Sequence, residues 1–172
     1  MGFQQDFEAY IGGRASLIQI VSHEWEVVEG SITRAIKRLE DGREYLKWSE
    51  SVGMQVFEDG APKEPSEDQR GEFARLTDPV SVVRWYVGDP SNEGEGALGY
   101  GKPSILHIED AHSFLDENHG DYISLVSWLR MAARMHLSGA QVPRTIVLGT
   151  TQPAYVQELD KEMPVLDLPL PN

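Results

Sequence analysis

The chain has 172 residues with a formal net charge of -13, an apolar fraction of 40% and no cysteine. That length suits one domain with one sizeable core, and no apolar run approaches the roughly 18 residues of a membrane span. Such acidity disfavours direct DNA or RNA binding, and without cysteine there is no disulfide framework, thiol nucleophile or cysteine-held metal.

The opening MGFQQDFEAY lacks the basic and apolar regions of a secretory signal, and Gly2 lacks the downstream Ser or Thr of a myristoylation site. A cytoplasmic location is the expectation. Phe3, Phe7, Tyr10 and Ile11 repeat at helical spacing, and Gly12-Gly13 then stops the pattern. SLIQIVS is a near-continuous apolar run of the kind buried on both faces of a parallel sheet. From His23 to Leu39 apolar residues recur every three or four positions, which predicts an amphipathic helix capped by Ser22. Its basic residues Arg34, Lys37 and Arg38 are expected to pair within the helix with Glu24, Glu26, Glu29 and Glu40.

EYLKWS and MQVFED read as strands on either side of a turn. Two polar, aperiodic stretches, 59–72 and 88–103, are expected to be flexible loops. Between them Thr77 or Asp78 caps a helix with Pro79 in its first turn. Ser104 to Asp110, SILHIED, is the strongest strand signal, followed by a helix from Tyr122 to His136 that Gly139 ends. TIVLGTT is another buried strand, PAYVQELD a short helix, and MPVLDLPLP a last strand broken by prolines. Strands separated by helices predict an α/β fold in three layers with a mainly parallel sheet, SLIQIVS, SILHIED and TIVLGTT being parallel neighbours. The whole of 1–172 is expected to form one domain.

Gly96 to Lys102 matches the first seven positions of a phosphate-cradling G-x-x-x-x-G-K loop. The match fails on chemistry, because Pro103 stands where the hydroxyl that holds magnesium belongs and offers no N–H to a phosphate. It fails on context too, since a strand follows where a helix should begin. SILHIED resembles a Walker B strand that delivers carboxylates to the carboxyl end of a sheet, with Glu109 and Asp110 in reversed order. Thr150 and Thr151 end a sensor-like strand, and the competing account is that strands of any doubly wound sheet end in polar residues. His107, Glu109, Asp110 and His112 hold metal-binding chemistry, but no third ligand is evident among His23, His119 and His136, so no metal site is assigned. His119 and Asp121 near Ser113 make no recognisable triad. Trp25, Trp48, Trp85 and Trp128 read as core or interface residues.

The order DFEAYIGGRASLIQIVSHEWEVVEGSITRAI, DPVSVVRWYV, PSILHIEDAHSFLDE, RTIVLGTT and VLDLPLPN resembles the N-terminal domain of AAA-family ATPases of the hypothetical chloroplast reading-frame type. The resemblance covers nearly the whole chain. It implies a degenerate, RecA-like P-loop NTPase core that kept the sheet and lost the phosphate loop. Glu109, Asp110, His112, Phe114, Leu115, Thr150 and Thr151 are the positions that align, the first two as vestigial Walker B-like acids. It also implies that catalytic residues, ATP and magnesium belong to an attached AAA module, and that this chain carries no cofactor. The function implied is a noncatalytic regulatory or assembly domain, with a AAA module in cis or in trans, other proteins or further copies of itself as partners. The resemblance adds the plastid stroma as a second possible compartment. The alternatives are a nucleotide- or metal-dependent hydrolase using the Glu109-Asp110 strand end, and a free-standing protein-binding module.

Overall fold

The computed structural model describes residues 2–135 and 142–169. Its frame is a seven-stranded sheet built from β1 (Leu17–Val21), β2 (Glu44–Ser49), β3 (Gly53–Glu58), β4 (Ala61–Lys63), β5 (Ser104–Ile108), β6 (Arg144–Thr150) and β7 (Val165–Asp167). The order across the sheet is β4-β3-β2-β5-β6-β1-β7. β2, β5, β6, β1 and β7 run parallel, and β3 and β4 turn back antiparallel beside β2. The three apolar runs expected to be neighbours are β1, β6 and β5, adjacent and parallel, because each is buried along its full length and needs cover on both faces.

The helices are α1 (Phe3–Gly12), α2 (Trp25–Leu39), α3 (Glu67–Phe73), α4 (Pro79–Val87), α5 (Glu95–Leu98) and α6 (Tyr122–Ala133). From β1 the chain moves three places across the sheet to β2, then returns through β5 and β6 and passes β1 to reach β7. Right-handed crossovers require connections running in opposite directions to lie on opposite faces. Accordingly Phe7 and Ile11 of α1 and Val28, Ile32 and Ala35 of α2 cover Ile18, Ile20, Tyr45, Ile105 and Val147. Val82, Val83 and Tyr86 of α4 and Leu125, Val126 and Leu129 of α6 cover Leu46, Trp48, Leu106, Ile108 and Ile146 on the other face. The three layers expected of a P-loop-like α/β core are in place.

Four local readings need correction. The helix after β1 begins two residues later than expected, because Ser22 Oγ accepts the Glu24 N–H at 3.1 Å and closes a tight turn instead of capping. Its basic residues pair with other elements, Arg38 with Glu8 of α1 and Lys37 with Asp59. Segment 59–72 is not irregular throughout: it contains β4 and most of α3, whose capping box joins Ser66 and Gln69 in both directions. PAYVQELD forms only a 3₁₀ turn at Gln157–Leu159. Asp78 is the cap of α4, with a reciprocal bond to Ser81. The expected positions of His136 and Gly139 at the end of α6 lie outside the described residues.

The second glycine-rich stretch folds back on itself. Gly88 has φ +99°, and a Cβ there would lie 2.6–2.7 Å from backbone atoms of Gly99, Ala97 and Leu98. Tyr100 then caps the segment, its hydroxyl bonded to Glu44 and its ring 4.9 Å from Trp85. Lys102 follows at the amino end of β5 and is exposed.

Candidate functional site

In an open α/β sheet the natural site is the crevice beyond the carboxyl ends of the strands, where neighbouring connections depart to opposite faces. Here that point lies between β1, which feeds α2, and β6, which feeds the turn packed under α6. A cavity of about 360 Å³ occupies it, lined among others by Ser22, His23, Trp25, Lys47, His107, Glu109, Asp110 and Thr150. Lys102 sits at the opposite end of β5, so the G-x-x-x-x-G-K match and the sheet's natural site are on opposite rims.

The residues that shape the cavity's floor come from alternation. Tyr45 and Lys47 of β2, His107 of β5 and Gly149 of β6 share the face that α2 covers. Lys47 is buried, its Nζ 2.6 Å from Glu29 of α2 and 3.4 Å from Glu109. The ammonium also lies 5.0 Å from the centre of the Trp25 ring and 5.6 Å from that of Phe57. An ammonium removed from water needs such partners, and two carboxylates with two aromatic faces supply them.

His107 is 1% exposed. Its Nδ1 is 2.9 Å from the Tyr45 hydroxyl, while Nε2 turns toward Gly149, where a Cβ would lie 2.8 Å away. Burial, with the Lys47 charge beside it, pushes the imidazole down to about 3, so it is neutral in the folded state. Burial chiefly, then the charges of Glu29 and Glu109, raises Tyr45 and keeps it a phenol.

The sign of the histidine's contribution follows. Its folded value lies below the unfolded value, so between about 6.5 and about 3 the unfolded chain binds the extra proton and stability falls as pH falls. From pH 7 to pH 5 this one group should remove about 2 kcal/mol, a loss that His107→Gln escapes. Denaturant midpoints of the two proteins at both pH values measure it; equal losses would mean that the imidazole charges within the fold.

The expected site residues are only partly brought together. Glu109 reaches the cavity but is tied to Lys47, and Asp110 is exposed in a left-handed conformation with φ 54°. Thr150 lines the cavity, yet its hydroxyl donates to Gln19 Oε1 at 3.0 Å. Gln19 also exchanges hydrogen bonds with the backbone of Ala154, so it anchors the chain leaving β6. The Thr151 N–H points to His112 Nδ1 at 3.5 Å, and His119 Nδ1 accepts the Asp121 N–H, which leaves no triad there. Among the described residues no group of three or more His, Asp or Glu is arranged to hold a metal ion.

Sequence reading missed Tyr45, Lys47 and Glu29. The signal that pointed to them was a lysine inside a strand otherwise built of Tyr, Leu and Trp. Trp25, read as core or interface, is 52% exposed at the cavity's mouth.

Where a phosphate loop would lie, β1 passes into α2 through Ser22, His23 and Glu24 alone. Glycines that let backbone N–H groups converge on phosphate are missing from this turn, and Glu24 and Glu26 put negative charge at the helix start.

No curated protein matches the chain. Among solved structures, a chain of the E. coli MS115-1 HORMA:CdnC:Trip13 complex superposes with a TM-score of 0.55 at 10% identity, over 98% of this chain and 62% of that one. That likeness concerns the fold, and this chain spans less than two thirds of the matched one. The sequence matches the family described as SpoVK-like AAA ATPase, N-terminal domain, over residues 3–168, which agrees with the expected AAA N-terminal domain and leaves its chloroplast type aside. With the match running from α1 past β7, the chain belongs to the SpoVK-like AAA ATPase N-terminal domain family.

Proposed function

We propose that this chain is a noncatalytic regulatory or assembly domain that acts on a AAA module, in cis or in trans, through protein–protein contact. The observation that carries the reading is the three-residue turn Ser22-His23-Glu24 between β1 and α2, which puts a carboxylate where a nucleotide's phosphates would need N–H groups. Glu109, the acid a hydrolase would need, is held by Lys47. Family membership supplies the AAA context, and the similar fold inside a HORMA:CdnC:Trip13 complex supports a role among protein partners. In this reading ATP and magnesium belong to the AAA module, and the chain itself needs no cofactor.

The experiment has two arms. Calorimetric titration of the chain with ATP, ADP and magnesium is expected to give only heats of dilution. Added to a AAA module of the same family, the chain is expected to change that module's ATPase rate or its oligomer size. Lys102, on the far rim, touches neither arm: Lys102→Ala should leave ATP turnover at the buffer blank and the melting temperature in Mg-ATP unchanged. Steady hydrolysis abolished by that substitution would instead give first place to the hydrolase reading.

A further inference from the structure

At the amino end of β6 the chain gathers cations rather than acids. Arg14, Arg43 and Arg144 line one small cavity of about 30 Å³ together with Ser16, Thr145 and the turn into β6, and no carboxylate lines it among the described residues. The chain as a whole has 28 acidic residues to 15 basic ones, so composition alone would not produce this grouping. Arg43 is buried and held in place by Asp41 at 2.7 Å, the Ile11 carbonyl at 3.1 Å and the Thr145 hydroxyl at 3.4 Å. Arg144 is 8% exposed, and its acceptors among the described residues are the Tyr86 and Val87 carbonyls, both bonded by Nη1. Its Nε is buried and has no hydrogen-bond partner among the described residues. Gly99, at φ +79°, leaves this guanidinium its room, since a Cβ there would lie 2.5 Å from Nη1. The fold thus encloses a cation without neutralising it, and burial pulls Arg144 below the usual guanidinium range. A buried donor left without an acceptor is costly, which is why such groups are usually met by a water or a ligand.

We infer that this cavity binds a carboxylate, held by the guanidinium groups of Arg14 and Arg144 with the charge of Arg43 beside it. The planar fork of a guanidinium matches the two oxygens of a carboxylate. Three guanidinium groups on one cavity repel one another, and an anion among them replaces that repulsion with attraction. Size selects the anion, because about 30 Å³ is room for about two water molecules or a carboxylate end, and not for the phosphates of a nucleotide. Arg14 is exposed, which gives the cavity a side open to water. A free carboxylic acid and an acidic side chain of another protein offer the same group. The inference does not depend on the assembly role and concerns the rim opposite the crevice beyond β1 and β6.

The test uses the full chain, nitrogen-15 labelled, at constant ionic strength. The Thr145 amide and Arg144 Nε–H signals are followed while sodium acetate, or a blocked glycine-glutamate-glycine tripeptide, is added. Saturable shifts are expected with both, and none with acetamide or the glutamine tripeptide, which keep the shape and lose the charge. Tighter binding of the tripeptide would name a partner's side chain as the source of the carboxylate, and tighter binding of acetate a free acid. Arg14→Asn should weaken binding about tenfold, the size of one lost charge-assisted contact. Asparagine is chosen because it tolerates the left-handed backbone at position 14, where φ is 62°. Arg144→Lys, which keeps the charge and loses the fork, should weaken it to a similar degree; if that variant does not fold, Arg14→Asn decides alone. Arg70→Gln removes the same charge near the carboxyl end of β2 and should leave binding unchanged. Absence of saturable shifts, equal shifts with the uncharged analogues, tighter binding of orthophosphate, or equal weakening by Arg70→Gln would each overturn the inference.

Discussion

Replacing Ile108 with aspartate will unfold the protein or lower its stability by about 4–5 kcal/mol or more, the largest effect expected of any single change. Ile108 is the last residue of β5 and is 1% exposed, held between Trp48 of β2 and Leu148 of β6. A carboxylate there would face Leu106, Trp48 and the α4 and α6 side chains, none of which offers a charge to meet it. Thermal melts of Ile108→Asp and of Glu93→Gln decide the matter. The exposed Glu93 variant should stay within about 0.5 kcal/mol of the parent, and equal losses would mean that the core has been misplaced.

Lys47→Met is expected to cost about 3 kcal/mol, because breaking a buried ion pair from one side strands the other charges. Methionine keeps the stem that packs beside Trp25 and Phe57, so the loss reports on the ammonium. Without it Glu29 and Glu109 face one another across the space that Lys47 bridged. Lys47→Arg, which retains the charge, should lose less. Urea midpoints of all three proteins check the size; equal losses for Lys47→Met and Lys47→Arg would assign the cost to packing.

The frame was legible because β1, β5 and β6 are runs that water cannot reach from either face, and such runs can sit only in the middle of a parallel sheet. The site was half legible. Glu109 and Thr150 could be found as strand ends, since any doubly wound sheet gathers its strand ends at one rim. Lys47 could not, because its burial depends on α2 bringing Glu29 over it from 18 positions earlier. No local periodicity carries that pairing. Segment 59–72 failed for a different reason: β4 is only three residues with a proline, yet Ser66 and Gln69 did spell a capping box that was there to be read.

The two strands that close the sheet are its shortest, and each meets proline. β4 is Ala61-Pro62-Lys63, and Pro62 has no N–H to offer a strand beyond it, while Lys63 puts a charge on the same border. β7 is three residues long, with Pro164 just before it and Pro169 soon after. A border so short and so poor in donors is a bad template for another chain's backbone, and so resists the edge-to-edge growth by which sheets aggregate. What the sheet leaves open for contact on this acidic chain is therefore its side chains and helices rather than its strand edges.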